Sequence, residues 1–155
     1  MKVVDFRTLK KINKNGFIKY RVNESLYHKA IIDSDIPFKP GVYLMYAVKE
    51  GLEIELIYIG KAGETGSKLN SHPLPVRLLA PELLPIWHKE YRKGKKKYMT
   101  RVKLIPEKVK YYKYDGLNIY WFQTYPELNC NEIERELILE CKKQNNNKLP
   151  LWMSK

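Results

Sequence analysis

Cysteine is nearly missing from this chain: only Cys130 and Cys141 occur. They fall in a segment that reads as helix, where eleven residues of helical rise separate their Cα atoms by roughly 16 Å, beyond disulfide reach. No paired Cys/His spacing of a zinc site occurs. Long apolar runs are missing too. No stretch is long enough to span a bilayer, and Met1–Asp5 lacks the apolar core of a signal peptide. A reducing cytoplasmic setting without membrane contact is therefore expected. Internal repeats are absent, and low complexity is confined to Lys95–Lys97 and Asn145–Asn147. Acidic residues are in short supply. There are 17 Asp and Glu against 29 Lys and Arg, so the formal net charge is +12. That excess draws in polyanions, and nucleic acid is the leading partner. A purely structural role would leave it unexplained.

What is present suits one soluble α+β domain. The 155 residues are 44% hydrophobic and 30% charged, enough to bury a core without disulfides. Residues 1–36 mix charge with scattered apolar positions and read as short helices or irregular structure, an N-terminal extension packed on a core domain of 37–155. Gly41–Val48 is almost wholly apolar and reads as a buried strand. Lys49-Glu50-Gly51 supplies a turn, and Glu55–Gly60 a second, antiparallel strand. Residues 61–75 read as loop. Residues 76–92 read as a helix interrupted at Pro81 and Pro85, 93–97 as a basic loop, and 100–105 as a strand. Leu117–Thr124 reads as the third firm strand, and a helix runs from Asn129 or Cys130 to about Gln144. The expected architecture is a small three-stranded antiparallel-containing sheet flanked by helices, with a basic central insertion.

Two features carry candidate chemistry. On the final helix, Glu132, Glu136 and Glu140 form an i, i+4, i+8 stripe, while Glu134 lies inside the apolar arc with Ile133, Leu137 and Cys141. A carboxylate turned toward a sheet needs a cation: a metal, or a Lys or Arg in a structural ion pair. In the hairpin, Tyr43 near the start of one strand and Tyr58 near the end of the next come together on antiparallel pairing, with Gly60 and Lys61 following. Gly60 allows close approach of a backbone or phosphate, and Lys61 offers a point charge. The structural alternative is two core tyrosines with satisfied hydroxyls.

Gly41-Val42-Tyr43 and Tyr58-Ile59-Gly60 resemble the paired signature of the GIY-YIG endonuclease superfamily. The setting is similar as well. Pro37–Tyr43 and Tyr58–Ala62 resemble blocks of bacterial excision-repair nucleases, Val76-Arg77-Leu78-Leu79 the arginine-bearing helix, and Glu134–Ile138 the block with the metal-binding glutamate. Pro150 is similar to the family's late proline, but Met153 stands where Asn is usual, with Asn147 a possible substitute. The resemblance implies metal-dependent hydrolysis of DNA phosphodiesters. Glu134 would hold Mg²⁺, with Mn²⁺ as a substitute. Tyr43 would serve as general base beside Lys61, Tyr58 would position phosphate or water, and Arg77 would clamp the phosphate. Gly60 would leave room for substrate, and His72 is a candidate second proton-transfer group, weighed against an ordinary solvated loop histidine.

From Ile86 to Lys113 there are eleven Lys and Arg against two Glu, interleaved with tyrosines. Lys93, Lys95, Lys96, Lys97, Arg101 and Lys103 are the expected DNA contacts, although a solvated basic face is the plainer reading. The alternatives to a nuclease are a non-catalytic nucleic-acid-binding module of the same fold, and an RNA-binding protein. Restriction, repair or recombination, and mobile-element roles all stay open; a restriction enzyme would be expected to work as a homodimer.

Overall fold

The computed structural model describes residues 5–26, 29, 36–37, 39–62, 81–83 and 98–153, with 81–83 and 98–103 as backbone only. Within them the chain is α+β. A 3₁₀ turn, Arg7–Lys11, leads into β1 (Asn15–Arg21), β2 (Gly41–Lys49) and β3 (Leu52–Ala62). Short β4 (Pro81–Leu83) and β5 (Tyr98–Thr100) pair with each other. Helix α1 (Arg101–Tyr111), strand β6 (Gly116–Gln123) and helix α2 (Cys130–Gln144) complete the order.

The main sheet has four strands, not three, in the order β1-β6-β2-β3, and every pair is antiparallel. The fourth strand comes from the segment expected to be irregular. Its inward positions, Ile18 and Tyr20, are buried and alternate with Lys19 and Arg21, but adjacent Phe17 and Gly16 leave that alternation too short to mark a strand by itself. Residues 15–21 thus form part of the sheet instead of packing outside it. Two other expectations fail. Residues 81–83 are extended, not helical, and 101–105 open a helix, not a strand. Met99 to Ile105 alternates weakly enough to suit either period, and packing of Ile105 and Val109 on the sheet decides for helix.

The β2–β3 hairpin closes through Glu50 and Gly51, at φ 53° and 80°. Left-handed geometry at both central residues matches the right-handed twist of the flanking strands, and Gly51 adopts it without a Cβ penalty. Farther along, the register slips between Met45 and Tyr46 and again between Ala47 and Val48. The first slip leaves Ile57 without an opposite residue. Its carbonyl instead accepts the Trp152 backbone N–H at 2.9 Å, tying the C-terminal segment to the hairpin.

Both faces of the sheet are apolar. On one, Ile18, Tyr43, Met45, Ile119 and Trp121 pack with Ile105 and Val109 of α1. On the other, Val42, Leu44, Leu56 and Ile59 pack with Ile133, Leu137 and Cys141 of α2. This double coverage explains why β2 is buried at eight successive positions instead of alternating. Cys130 and Cys141 are both buried and are not joined to each other by a disulfide.

One row of residues crosses all four strands on the α1 face. Gly16 pairs with Trp121, Trp121 with Tyr43, and Tyr43 with Gly60. The two central aromatics lie over the two edge glycines. A Cβ at Gly16 would meet the Trp121 ring at 2.4 Å, and one at Gly60 would meet Tyr43 Cζ at 2.4 Å. Covering an edge glycine with a cross-strand aromatic compensates for its missing side chain.

Candidate active site

Strand β3 is the sheet edge, and its last residues carry the candidate chemistry. Alternation along the strand divides them between the two faces. Tyr58 and Gly60 belong with Tyr43 on the α1 face. Lys61, opposite Val42, belongs to the α2 face.

On the first face, Tyr43 and Tyr58 stack with ring centroids 5.9 Å apart and planes 28° from parallel. They are diagonal neighbours, since Tyr43 opposes Gly60 and Met45 opposes Tyr58. The hairpin therefore brings the two tyrosines together as their spacing predicted. Tyr43 is fully buried, at 0% exposure, while Tyr58 is half-buried. The space above Gly60 is filled by the tip of the Tyr43 ring. The expected clearance for substrate at Gly60 is thus already occupied by a neighbouring side chain.

On the second face, Lys61 meets the start of α2. Its ammonium donates to Asn131 Oδ1 and lies 4.0 Å from Glu134 Oε1. The helix is set there by its own sequence. Asn129 caps it, its side chain accepting the N–H groups of Asn131 at 2.9 Å and Glu132 at 3.1 Å. Ile133, Leu137 and Cys141 form the buried stripe and fix the rotation that turns Glu134 toward β3. The Glu134 side chain is 23% exposed and that of Lys61 41%. The expected cation beside Glu134 is therefore Lys61. A pair this exposed and this long contributes at most about 1 kcal/mol to stability.

The Glu132, Glu136 and Glu140 stripe is not simply solvated. Glu140 accepts the Arg7 backbone N–H at 2.7 Å, and Glu136 accepts the Thr8 hydroxyl at 3.1 Å. These contacts anchor the N-terminal 3₁₀ turn on α2. Nothing in the spacing of Thr8 announces them, because they span more than 120 positions of sequence.

A divalent metal fits this donor set in a limited way. Among the described residues no group of three or more His, Cys, Asp or Glu converges. Glu134 and the Asn131 amide oxygen are hard oxygen donors, and Mg²⁺ commonly takes one or two carboxylates, completing its shell with water and substrate phosphate. The oxygens suited to the ion are those Lys61 now contacts.

Arg77, His72, Lys93, Lys95, Lys96 and Lys97 lie outside the described residues, and Arg101 and Lys103 are described in backbone only, in the first turn of α1. Within the remaining basic patch, Lys108 is buried, at 7% exposure, with its ammonium 4.8 Å from the Trp152 ring centroid. It belongs to the core, while Lys110 and Lys113 are exposed. Met153 packs against the α2-side core. Asn147, the candidate substitute for the family's asparagine, lies past the end of α2. It forms the left-handed turn after α2, at φ 63°, and ten residues of helix put that end roughly 15 Å from Glu134.

Sequence reasoning missed Asn131, whose neighbour-bridging role depends on tertiary contact. It also missed a tyrosine–carboxylate cluster on the α2 face. Glu53 accepts from the Tyr120 hydroxyl and, at 2.7 Å, from Asn118 Nδ2. Burial, the hydrogen bond to Glu53 and its negative charge raise the Tyr120 phenol far above its ordinary value. Tyr46, edge-on to Tyr120, is pushed up to about 12 by burial and then by Glu53. Such hydroxyls stay protonated as donors and are no source of a base.

No family model, curated protein or solved structure matches this chain. Among the described residues no helix is long and apolar enough to cross a membrane.

Proposed function

We propose that this protein is a metal-dependent DNA endonuclease of the GIY-YIG type. The observation that carries the reading is the convergence of Lys61, which directly follows Tyr58-Ile59-Gly60, on Asn131 and Glu134 at the start of α2. A carboxylate singled out by helical periodicity and a lysine singled out by the hairpin meet, though 73 positions separate them. The net charge of +12 supports a polyanionic substrate.

In this reading Glu134 and the Asn131 amide oxygen hold Mg²⁺, or Mn²⁺ in its place. When bound, the ion polarises the scissile phosphate and offsets charge on the leaving oxygen. Lys61, which contacts both of these oxygens, would be the ammonium that meets developing negative charge on the phosphate. A phenol with a pKa near 10 is a weak base at neutral pH and needs a cation nearby; Lys61 sits on the opposite face of the sheet from Tyr43 and Tyr58, so it serves that role only by swinging around the strand edge. Tyr58 is the half-buried tyrosine of the pair, and Tyr43 supports it by stacking. For Tyr43 itself to act as the base, the α1 face must open. Arg77 is the proposed phosphate clamp, and the basic patch around 93–103 supplies affinity. Cytoplasmic DNA is the proposed partner.

A non-catalytic DNA-binding module is the second reading, favoured by two observations: Lys61 already neutralises Glu134, and the Tyr43 ring already fills the space at Gly60. Supercoiled plasmid with Mg²⁺ separates the two. Nicking or linearisation that is lost with EDTA and with Glu134→Ala supports the nuclease. Tight binding without cutting, also in Mn²⁺ and on branched substrates, supports the module.

A further inference from the structure

Beyond the Lys61–Glu134 pair, the α2 face carries a groove of about 390 Å³, lined by Lys11, Lys14, Gln123, Thr124, Tyr125 and Glu127 among others. That volume falls in the range of about 300–1,000 Å³ typical of small-ligand sites. Three features suggest an occupant. Thr124 is 2% exposed, and its hydroxyl has no hydrogen-bond partner among the described residues; an unmet buried polar group is costly unless something supplies the partner. Tyr125 is 50% exposed, with the Lys39 ammonium 5.5 Å from its ring centroid, so it presents aromatic surface beside a cation. Lys11 and Lys14 are exposed and supply positive charge at the rim.

The position is as informative as the lining. Gln123 pairs with Gly41, and Gly41 with Ala62. The groove therefore opens at the same end of the sheet as Lys61, two strand spacings away, or about 10 Å. That is about three base steps of duplex DNA at roughly 3.4 Å each. Ile12 and Leu128, which also line the groove, pack in the same apolar layer as α2, so groove and Lys61–Glu134 pair share one face.

We propose that this groove holds one unpaired nucleotide of the DNA substrate, about three base steps from the phosphate to be cut. Tyr125 stacks on the base, Lys11 and Lys14 contact its flanking phosphates, and the Thr124 hydroxyl bonds to a base or sugar atom. Glu127 would repel a bare phosphate but accepts from an exocyclic amino group of a base. Its presence is why a whole nucleotide fits better than a phosphate alone. The inference rests on the nucleic-acid reading above and narrows its substrate to DNA with an extruded, flapped or single-stranded nucleotide.

The test is fluorescence anisotropy in EDTA, so that nothing is cut. Labelled duplex, the same duplex with one bulged nucleotide, and single strand are compared for the parent, Tyr125→Ala, Lys14→Gln and Thr124→Val. Tyr125 and Lys14 are exposed, so those two variants keep the fold, which a thermal melt checks. The parent is expected to prefer the bulged and single-stranded forms. Tyr125→Ala is expected to lose roughly tenfold in affinity for them and little for duplex, as removal of one stacking platform does. Equal losses on all three forms, or no loss in any variant of a parent that binds, overturn the groove assignment and leave the nuclease reading standing. A parent that binds no DNA in any form overturns both.

Discussion

Replacing Gly60 by alanine separates a structural role for this glycine from a substrate-facing one. The added Cβ would sit 2.4 Å from Tyr43 Cζ and 2.6 Å from its hydroxyl oxygen. Unstrained carbon contacts lie at about 3.5–4.0 Å, so the ring tip must retreat by more than about 1 Å. It has little room, because Tyr43 is fully buried between Trp121 and Gly60 in the sheet row. Overpacking of this kind costs about 1–3 kcal/mol, and the lower unfolded-state entropy of alanine returns about 0.5–1 kcal/mol. The net loss spans about 0–2.5 kcal/mol, and at its centre, about 1 kcal/mol, it lowers the melting temperature of a domain this size by about 2–4 °C. The assay is a thermal or urea melt of Gly60→Ala in the parent and in a Tyr43→Leu background, whose shorter side chain no longer overhangs residue 60. The cost should vanish in the second background, giving a coupling energy about as large as the original loss. Equal costs in both backgrounds would refute the Tyr43–Gly60 packing argument. Unchanged stability with lost DNA cutting would instead restore the substrate-clearance role.

Other perturbations probe the helix end and the tyrosines. Glu134→Ala and Lys61→Ala should each lower plasmid cutting by more than about a hundredfold while shifting the melting temperature by no more than about 2–4 °C, because their ion pair contributes so little to stability; large unfolding in either would make the pair structural. Asn129→Ala removes the α2 cap and should cost about 1 kcal/mol, with Asn129→Asp restoring it; equal melts for the alanine variant and the parent would contradict the cap. Burial, then the Glu53 and Cys141 charges, push the Tyr46 phenol up to about 12, and burial with Glu55 and Tyr112 does the same for Tyr114. The folded protein keeps these protons where the unfolded chain, with a pKa near 10, has lost them. Stability is therefore full below pH 10 and falls between pH 10 and about 12. Urea midpoints at pH 8 and pH 11 should show the fall, with Tyr46→Phe shrinking it; an identical slope in that variant would exclude Tyr46 as a cause.

The elements that reached the site were legible where local signals agreed. Gly41–Val48 is apolar on every side, Glu50-Gly51 supplies the left-handed turn, and Asn129 followed by the Ile133, Leu137, Cys141 stripe marks a capped amphipathic helix. Periodicity also separated Glu134 from the other three glutamates of α2. The segment around Met99–Ile105 was misjudged because its short apolar pattern fits either period. β1 was missed because its alternation is short: Phe17 is an exposed aromatic beside buried Ile18, and the inward position before Ile18 is a glycine.

The sequence by itself determined the charge, the hairpin, the final helix and which carboxylate turns inward, since each follows from composition or from a period within a dozen residues. Only the tertiary structure decided that β1 completes the sheet through β6, that Tyr43 fills the space at Gly60, and that Lys61 is the cation beside Glu134. It also decided that the two tyrosines and the Lys61–Glu134 pair lie on opposite faces of one edge strand. The physical reason is the same in each case. These contacts join residues far apart in sequence, and a strand's alternation fixes that two neighbours face opposite ways without fixing what covers either face.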